Sequence, residues 1–149
     1  MLDEKLITGI EKLDKQHEVV LSSINDIKEA IDKSLSKERI IELVDSLDFY
    51  ANEHFDYEES LAELCNFCRM DEFKDAHNDF RNQYKLIRKF YGPKIQTTPR
   101  IYALLLVSVL EGWLHFHFIH IEYEVMAELK KCIAKGLDIS KAEIKDLNS

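Results

Sequence analysis

Four histidines and two glutamates dominate the chemistry that this chain could carry. His54 is followed four residues later by Glu58, in His54-Phe-Asp-Tyr-Glu58-Glu59. A second cluster reads Trp113-Leu-His115-Phe-His117-Phe-Ile-His120-Ile-Glu122. His77 lies between these stretches, and His17 opens the first amphipathic one. Residues four apart on a helix share a face one turn apart, as do residues three apart, so His54 pairs with Glu58 and His117 with His120. A lone histidine on an apolar face is ordinarily a hydrogen-bonded core residue. Four helices each offering one is harder to explain that way, because several buried imidazoles and carboxylates would be left unpaired. A metal ion satisfies them together. Mixed imidazole and carboxylate ligation suits iron or manganese, and zinc less exclusively. Two carboxylates able to bridge call for two metals.

The elements that must position these groups read as helices. The chain has 149 residues, enough for one domain with its own core, and 46% are apolar. Only four Gly and two Pro are present, too few for the turns of a sheet protein of this size. Residues 1–13 read as an arm containing Gly9. A first helix spans about Leu13 to Asp32, with Val20, Ile24, Ile27 and Ile31 at helical spacing. Ser34 to Ser36 reads as a connection, with Ser36 as N-cap. The second helix spans Lys37 to Leu64, with Ile40, Val44, Leu47, Tyr50, Ala51 and His54 on one face. Asp71 can cap a third helix that ends near Tyr91, where Gly92-Pro93 stops it. Thr98-Pro99 starts a fourth that runs to about Lys135, and Gly136 ends it. Ser140-Lys-Ala-Glu143 has the form of a capping box for a short terminal helix. The expected fold is all-α: an up-down-up-down four-helix bundle over 1–149, with an N-terminal arm and a short C-terminal helix.

Bulk properties exclude other classes. A net charge of -8 argues against nucleic acid, whose phosphates need clustered Lys and Arg, and against anionic membranes. The first residues lack the basic start and apolar run of a signal peptide. The most apolar stretch, Ile101 to Leu110, is about half of what a bilayer requires. Three cysteines are an odd number, so a structural disulfide framework is not expected and the chain reads as cytoplasmic. Cys65-Asn-Phe-Cys68 lacks the further ligands of a zinc site and lies at a helix C-terminus, where thiolates are not favoured. Buried small residues are its default reading, with a thiol sensor as the alternative.

The motifs together resemble the bacterial hemerythrin family of HHE-type cation-binding helical bundles, over nearly the whole chain. Thr8-Gly9-Ile10-Glu-Lys-Leu13-Asp14-Lys-Gln16-His17 resembles its opening, and Leu47-Asp-Phe-Tyr50-Ala-Asn-Glu-His54-Phe55-Asp-Tyr-Glu58-Glu59 its second-helix motif. His77-Asn-Asp-Phe80 and Trp113-Leu114-His115-Phe116-His117 resemble the third and fourth. The resemblance implies a non-haem centre of two iron ions with an oxo or hydroxo bridge that binds O2 reversibly. It implies that His17 and His54 ligate one iron, His77 and His117 the other, and that Glu58 bridges them. A second bridging carboxylate is implied five residues after His117; that residue is Glu122, where the family usually has aspartate. Manganese or a mixed pair would suit the same ligands.

The chain departs from the family pattern at Phe73, where a further histidine is expected. One iron would then lose an imidazole, leaving two histidines on each. Either its position stays open or another side chain fills it: His120 first, then Tyr57, Tyr123 or Glu124. His115 and His120 otherwise read as outer partners or surface residues. Phe118 stands where the family tends to have a smaller aliphatic residue, which would narrow a gas pocket walled by Trp113 and Leu114. The expected function is storage, delivery, transport or sensing of O2 or a related small oxidant. The alternative is a peroxidase-like, catalase-like or NO-handling enzyme, because Phe73 replaces a ligand. A structural or metal-storing bundle is the third reading.

Overall fold

The computed structural model describes residues 7–34, 36–93 and 97–142, and of Tyr50, Phe118 and Ile119 the backbone only. Expectations that rest on residues 1–6, Leu35, Glu143 or the side chains of Tyr50 and Phe118 therefore lie outside the described residues. The described residues form helices joined by short turns, with no strand among them. α1 spans Glu11–Asp32, α2 Lys37–Leu64, α3 Met70–Tyr91, α4 Pro99–His117 and α5 Tyr123–Ala134. Between α4 and α5, Phe118–Glu122 forms a π-helical turn without a break in the chain's helical run. α1 packs on α2 and α4, and α3 packs on the same two helices.

Local chemistry moves several helix ends from where the residue pattern puts them. α1 starts at Glu11 and not Leu13, because the Asp14 carboxylate accepts from Thr8 N, Thr8 Oγ1 and Gly9 N at 2.8, 2.7 and 3.1 Å. That carboxylate ties the arm to the first turn, where its charge also suits the helix dipole. Ser36 caps α2 as expected, its Oγ accepting from Arg39 N at 3.3 Å. Asp71 does not cap α3: the N-cap is Arg69, and Asp71 sits in the first turn. The Arg69 side chain binds Glu72 and Glu124 instead. Near the C-terminus Asp138, not Ser140, is the acceptor, taking Ser140 N and Oγ at 3.0 and 2.6 Å.

α2 and α5 both end in Schellman turns. Asn66 takes φ 55° after α2, with Phe67 N donating to Ala62 O at 3.0 Å. Gly136 takes φ 104° after α5, with Leu137 N donating to Cys132 O at 3.0 Å. These two helix ends lie side by side, and Cys65 is joined there to Cys132 by a disulfide with Cα atoms 6.0 Å apart. The expectation of buried, unbonded cysteines is thus corrected, and Cys68 is free and exposed. The bond removes the support that an odd cysteine count lent to a reducing compartment. It closes a loop across a sequence separation of 67. Cys132→Ser should cost about 2–4 kcal/mol of stability. Urea titrations with and without reductant check this, and coincident curves for the native chain would contradict it.

Two apolar clusters make the core. One gathers Val20, Ile24, Ile27, Val44, Leu47, Phe55, Phe80, Leu106 and Leu110. The other gathers Leu13, Tyr57, Leu61, Phe73, Val125, Met126 and Leu129. His17, His77 and His117 each fall, along their own helix, at the boundary between the two, and His54 lies within the last turn of the first cluster beside it. The run Pro99–Ala134 has a window of mean hydropathy 1.5 and is long and apolar enough to cross a bilayer by composition alone. Here it buries Tyr102, Leu106, Leu110, Leu114 and His117 within the fold.

Candidate metal centre

Each helix face brings one imidazole to the boundary layer. On α1 the spacing Leu13, His17, Val20, Ile24 keeps His17 on the buried stripe, 1% exposed. On α2 the four-residue step from His54 places Glu58 one turn further along that face, and Glu58 is fully buried. His77 and His117 are equally enclosed.

Glu122 needs a special device to join them. At about 100° per residue, a residue five positions after His117 points about 140° away from it on a regular α-helix. The π turn at Phe118–Glu122 absorbs the extra residue and swings the carboxylate back to the face of His117. Glu122 is 2% exposed as a result.

The side chains meet through equivalent atoms. Glu58 Oε1 lies 2.8 Å from His54 Nε2 and 3.4 Å from His17 Nε2. Its other oxygen, Oε2, lies 3.0 Å from His77 Nε2 and 3.6 Å from His117 Nε2. Glu122 repeats the division, with Oε1 2.8 Å from His17 Nε2 and Oε2 3.7 Å from His117 Nε2. The ligand atoms form two sets that share Glu58: His17, His54, Glu58 and Glu122, then Glu58, His77 and His117.

These groups aim at a common centre more than at one another. His54 Nε2, Glu58 Oε2 and both Glu122 oxygens are sealed from water without a hydrogen bond of proper geometry. Leaving a buried polar atom unsatisfied costs about 1–3 kcal/mol. A cation among them would satisfy all of these lone pairs, so the donor set fits a divalent metal of the iron, manganese or zinc type.

The backs of two rings are held for that role. His54 Nδ1 meets Gln16 Oε1 at 3.1 Å, and His77 Nδ1 meets Glu59 Oε1 at 2.8 Å. An acceptor at Nδ1 keeps the proton there and leaves Nε2 as a bare donor. Gln16 and Glu59 went unassigned from sequence, although each directly adjoins a ligand candidate. Aromatic rings seal one half. Phe55 stacks on His77 at 4.3 Å, Trp113 on His117 at 4.3 Å, and Phe73 lies 4.5 Å from His77 and 5.7 Å from His117. Phe73 is fully buried and fills the place where an imidazole was expected.

Of the proposed replacements, His120, Tyr123 and Glu124 stay outside the centre. His120 is exposed and its ring packs on Phe116 at 4.2 Å. His115 is exposed, Tyr123 is 68% exposed, and Glu124 pairs with Arg69. Tyr57 is buried in the second apolar cluster, with Lys12 Nζ 4.1 Å over its ring. The i,i+3 spacing of His117 and His120 misled because the π turn begins between them. His120→Ala should therefore leave metal content unchanged, and a lower content on elemental analysis would contradict this placement.

Electrostatics divides the metal-free groups. Burial depresses His54 and His117. Burial also opposes charge on His17, but its contacts with Glu122 and Glu58 outweigh that and raise it to about 10. His77 is raised against burial by Glu58 and Glu59. Burial would raise Glu58 too, yet the surrounding imidazoles hold it well below the usual range. Glu122 is pushed well above that range by burial and by the charge on Glu58. His17 thus holds a proton near neutral pH, the surroundings of His77 and Glu122 favour their protonated forms, and a metal must displace such protons to bind. Apparent affinity for Fe(II) or Mn(II) should fall as pH falls, with proton release in weakly buffered solution. A pH-independent affinity would contradict this.

Comparison of the chain with family models, with curated proteins and with solved structures gives no match.

Proposed function

We propose that this protein is a hemerythrin-like, non-haem di-iron protein that binds O2 or a related small oxidant. The observation that carries the reading is the division of Glu58, one oxygen facing His17 and His54, the other facing His77 and His117. A carboxylate placed so is built to span two metals, and Glu122 offers a second span. In this reading α1, α2, α3 and the α4–α5 run alternate in direction as a four-helix bundle around the pair. Two ferrous ions there would supply the electrons on which O2 binding draws, with manganese or a mixed pair as the other occupants of the same ligands.

The remaining residues serve the site by orientation and by exclusion of water. Gln16 and Glu59 hold two rings in register. Phe55, Phe73 and Trp113 dry the His77 and His117 half, which strengthens every electrostatic interaction within it. The acidic net charge of -8 fits a small-molecule ligand better than nucleic acid or an anionic membrane, and a cytoplasmic setting belongs to the same reading.

One observation favours an oxidant-consuming enzyme as the second reading. Phe73 takes the place of an imidazole, and among the described residues no further histidine, cysteine, aspartate or glutamate replaces it. One of the two metals then has one protein ligand fewer to guard it. Anaerobic loading with Fe(II), then exposure to air and removal of O2, separates the two. A spectral change that reverses on O2 removal supports carriage. Irreversible oxidation with turnover of hydrogen peroxide supports catalysis, and no response to O2 would overturn both.

A further inference from the structure

His54 and His77 present the same Nε2 atom to the centre, but unlike groups stand behind them. His54 leans on a neutral amide, Gln16, whereas His77 leans on a carboxylate, Glu59, at 2.8 Å. Hydrogen bonds to an ionised acceptor are roughly twice as strong as neutral ones. A carboxylate behind a metal-ligating imidazole also raises its basicity.

Glu59 is itself held in place. The oxygen that meets His77 lies 3.6 Å from Arg81 Nη1. Arg81 is anchored by Asn78 and Asp56 at 3.1 and 3.2 Å and by Asn52 at 3.3 Å. Its guanidinium also sits 5.2 Å over the Phe55 ring, whose plane lies within 17° of His77 at 4.3 Å. His77 is thus gripped edge-on by Glu59 and face-on by Phe55, and Arg81 backs both. On the other side His54 meets the His17 ring edge-on at 4.6 Å, and its outward contact is the Gln16 amide.

We infer that Glu59, set by Arg81, is a positioning residue that makes His77 a stronger donor than His54, so the two metal positions are electronically unequal. The stronger donor favours the more oxidised metal, so Glu59 makes the position on His77 and His117 easier to oxidise than a neutral amide there would. This rests on the two-metal reading above and adds to it a residue that sets the balance within the pair.

The test compares the wild-type chain with Glu59→Gln and Gln16→Glu. Each metal-free protein is titrated anaerobically with Fe(II) by calorimetry, and each iron-loaded protein is then titrated redox-wise. Loss of an outer partner of this kind costs about 10–100-fold in metal affinity. Glu59→Gln should weaken one iron position by that factor, leave the other unchanged and shift one of the two redox steps to higher potential, changing their spacing. A chain whose role at Glu59 is only structural would lose affinity without a change in the spacing of the redox steps. Gln16→Glu should tighten the other position, which keeps the inference testable if Glu59→Gln does not fold. Two iron positions with wild-type affinities and potentials in either folded variant would overturn the inference and leave the di-iron reading standing. A wild-type chain that binds no iron pair would overturn both.

Discussion

Glu58→Gln should abolish metal binding while leaving a folded chain. Glu58 is fully buried and its oxygens lie within 3.6 Å of four imidazole nitrogens. An amide keeps the shape but offers one neutral oxygen and an NH2, which cannot bridge cations. The loss should exceed the factor of about 10–100 seen when an outer partner alone is removed. The metal-free variant should also change its acid behaviour. In the native chain Glu58 favours the charged forms of His17 and His77 against burial, beside Glu122 and Glu59. Without its charge burial weighs more heavily against protons on the folded histidines, while unfolded ones still take protons near their usual value of about 6.5. The variant's fold then binds fewer protons than the native fold, so its stability falls relative to the native chain as pH drops through that value. Urea midpoints between neutral and mildly acid pH measure this. Full metal content in Glu58→Gln would contradict the account.

Phe73→Ala should be the most destabilising single truncation near the site. The ring is fully buried, lies 6.3 Å from Phe67 and stacks within 14° of His117. Removal of such a ring costs about 3–5 kcal/mol through lost burial and the cavity left behind. Phe73→His keeps a ring at the same position, four residues before His77 and so on its helix face. It should retain the fold, raise metal affinity and prolong the oxygenated spectrum of the iron-loaded chain. An unchanged lifetime would show that the missing imidazole does not limit O2 handling. A loss of stability in Phe73→Ala below about 1 kcal/mol would contradict the packing described here.

The buried cluster of histidines and glutamates was legible because its physics is local. The four-residue step from His54 to Glu58, the apolar stripe around His17 and the helix signals at Ser36, Pro99 and Gly136 depend on neighbours along the chain. What stayed hidden depends on partners distant in sequence. The Cys65–Cys132 bond joins residues that only two Schellman turns bring together. Two short-range contacts were missed for another reason, since residue type does not say which near neighbour a carboxylate will take. Asp14 holds the backbone before it, where no cap was read, and Asp138 accepts from Ser140, which was itself read as the cap. The π turn could have been inferred, because a five-residue step from His117 to Glu122 cannot share an α-helical face. The same turn explains why His120, at a favourable spacing, faces solvent. Glu59 could not be read as a partner of His77, since their 18-residue separation spans the turn between α2 and α3.

The central claim is that the buried histidines and glutamates hold a metal pair, and metal stoichiometry tests it most directly. The purified chain, loaded anaerobically with Fe(II) and freed of excess metal, is assayed for iron per chain beside Glu58→Gln. Two irons per native chain and none in the variant are expected. A folded native chain that retains no metal, or a variant that retains as much as the native one, would contradict it.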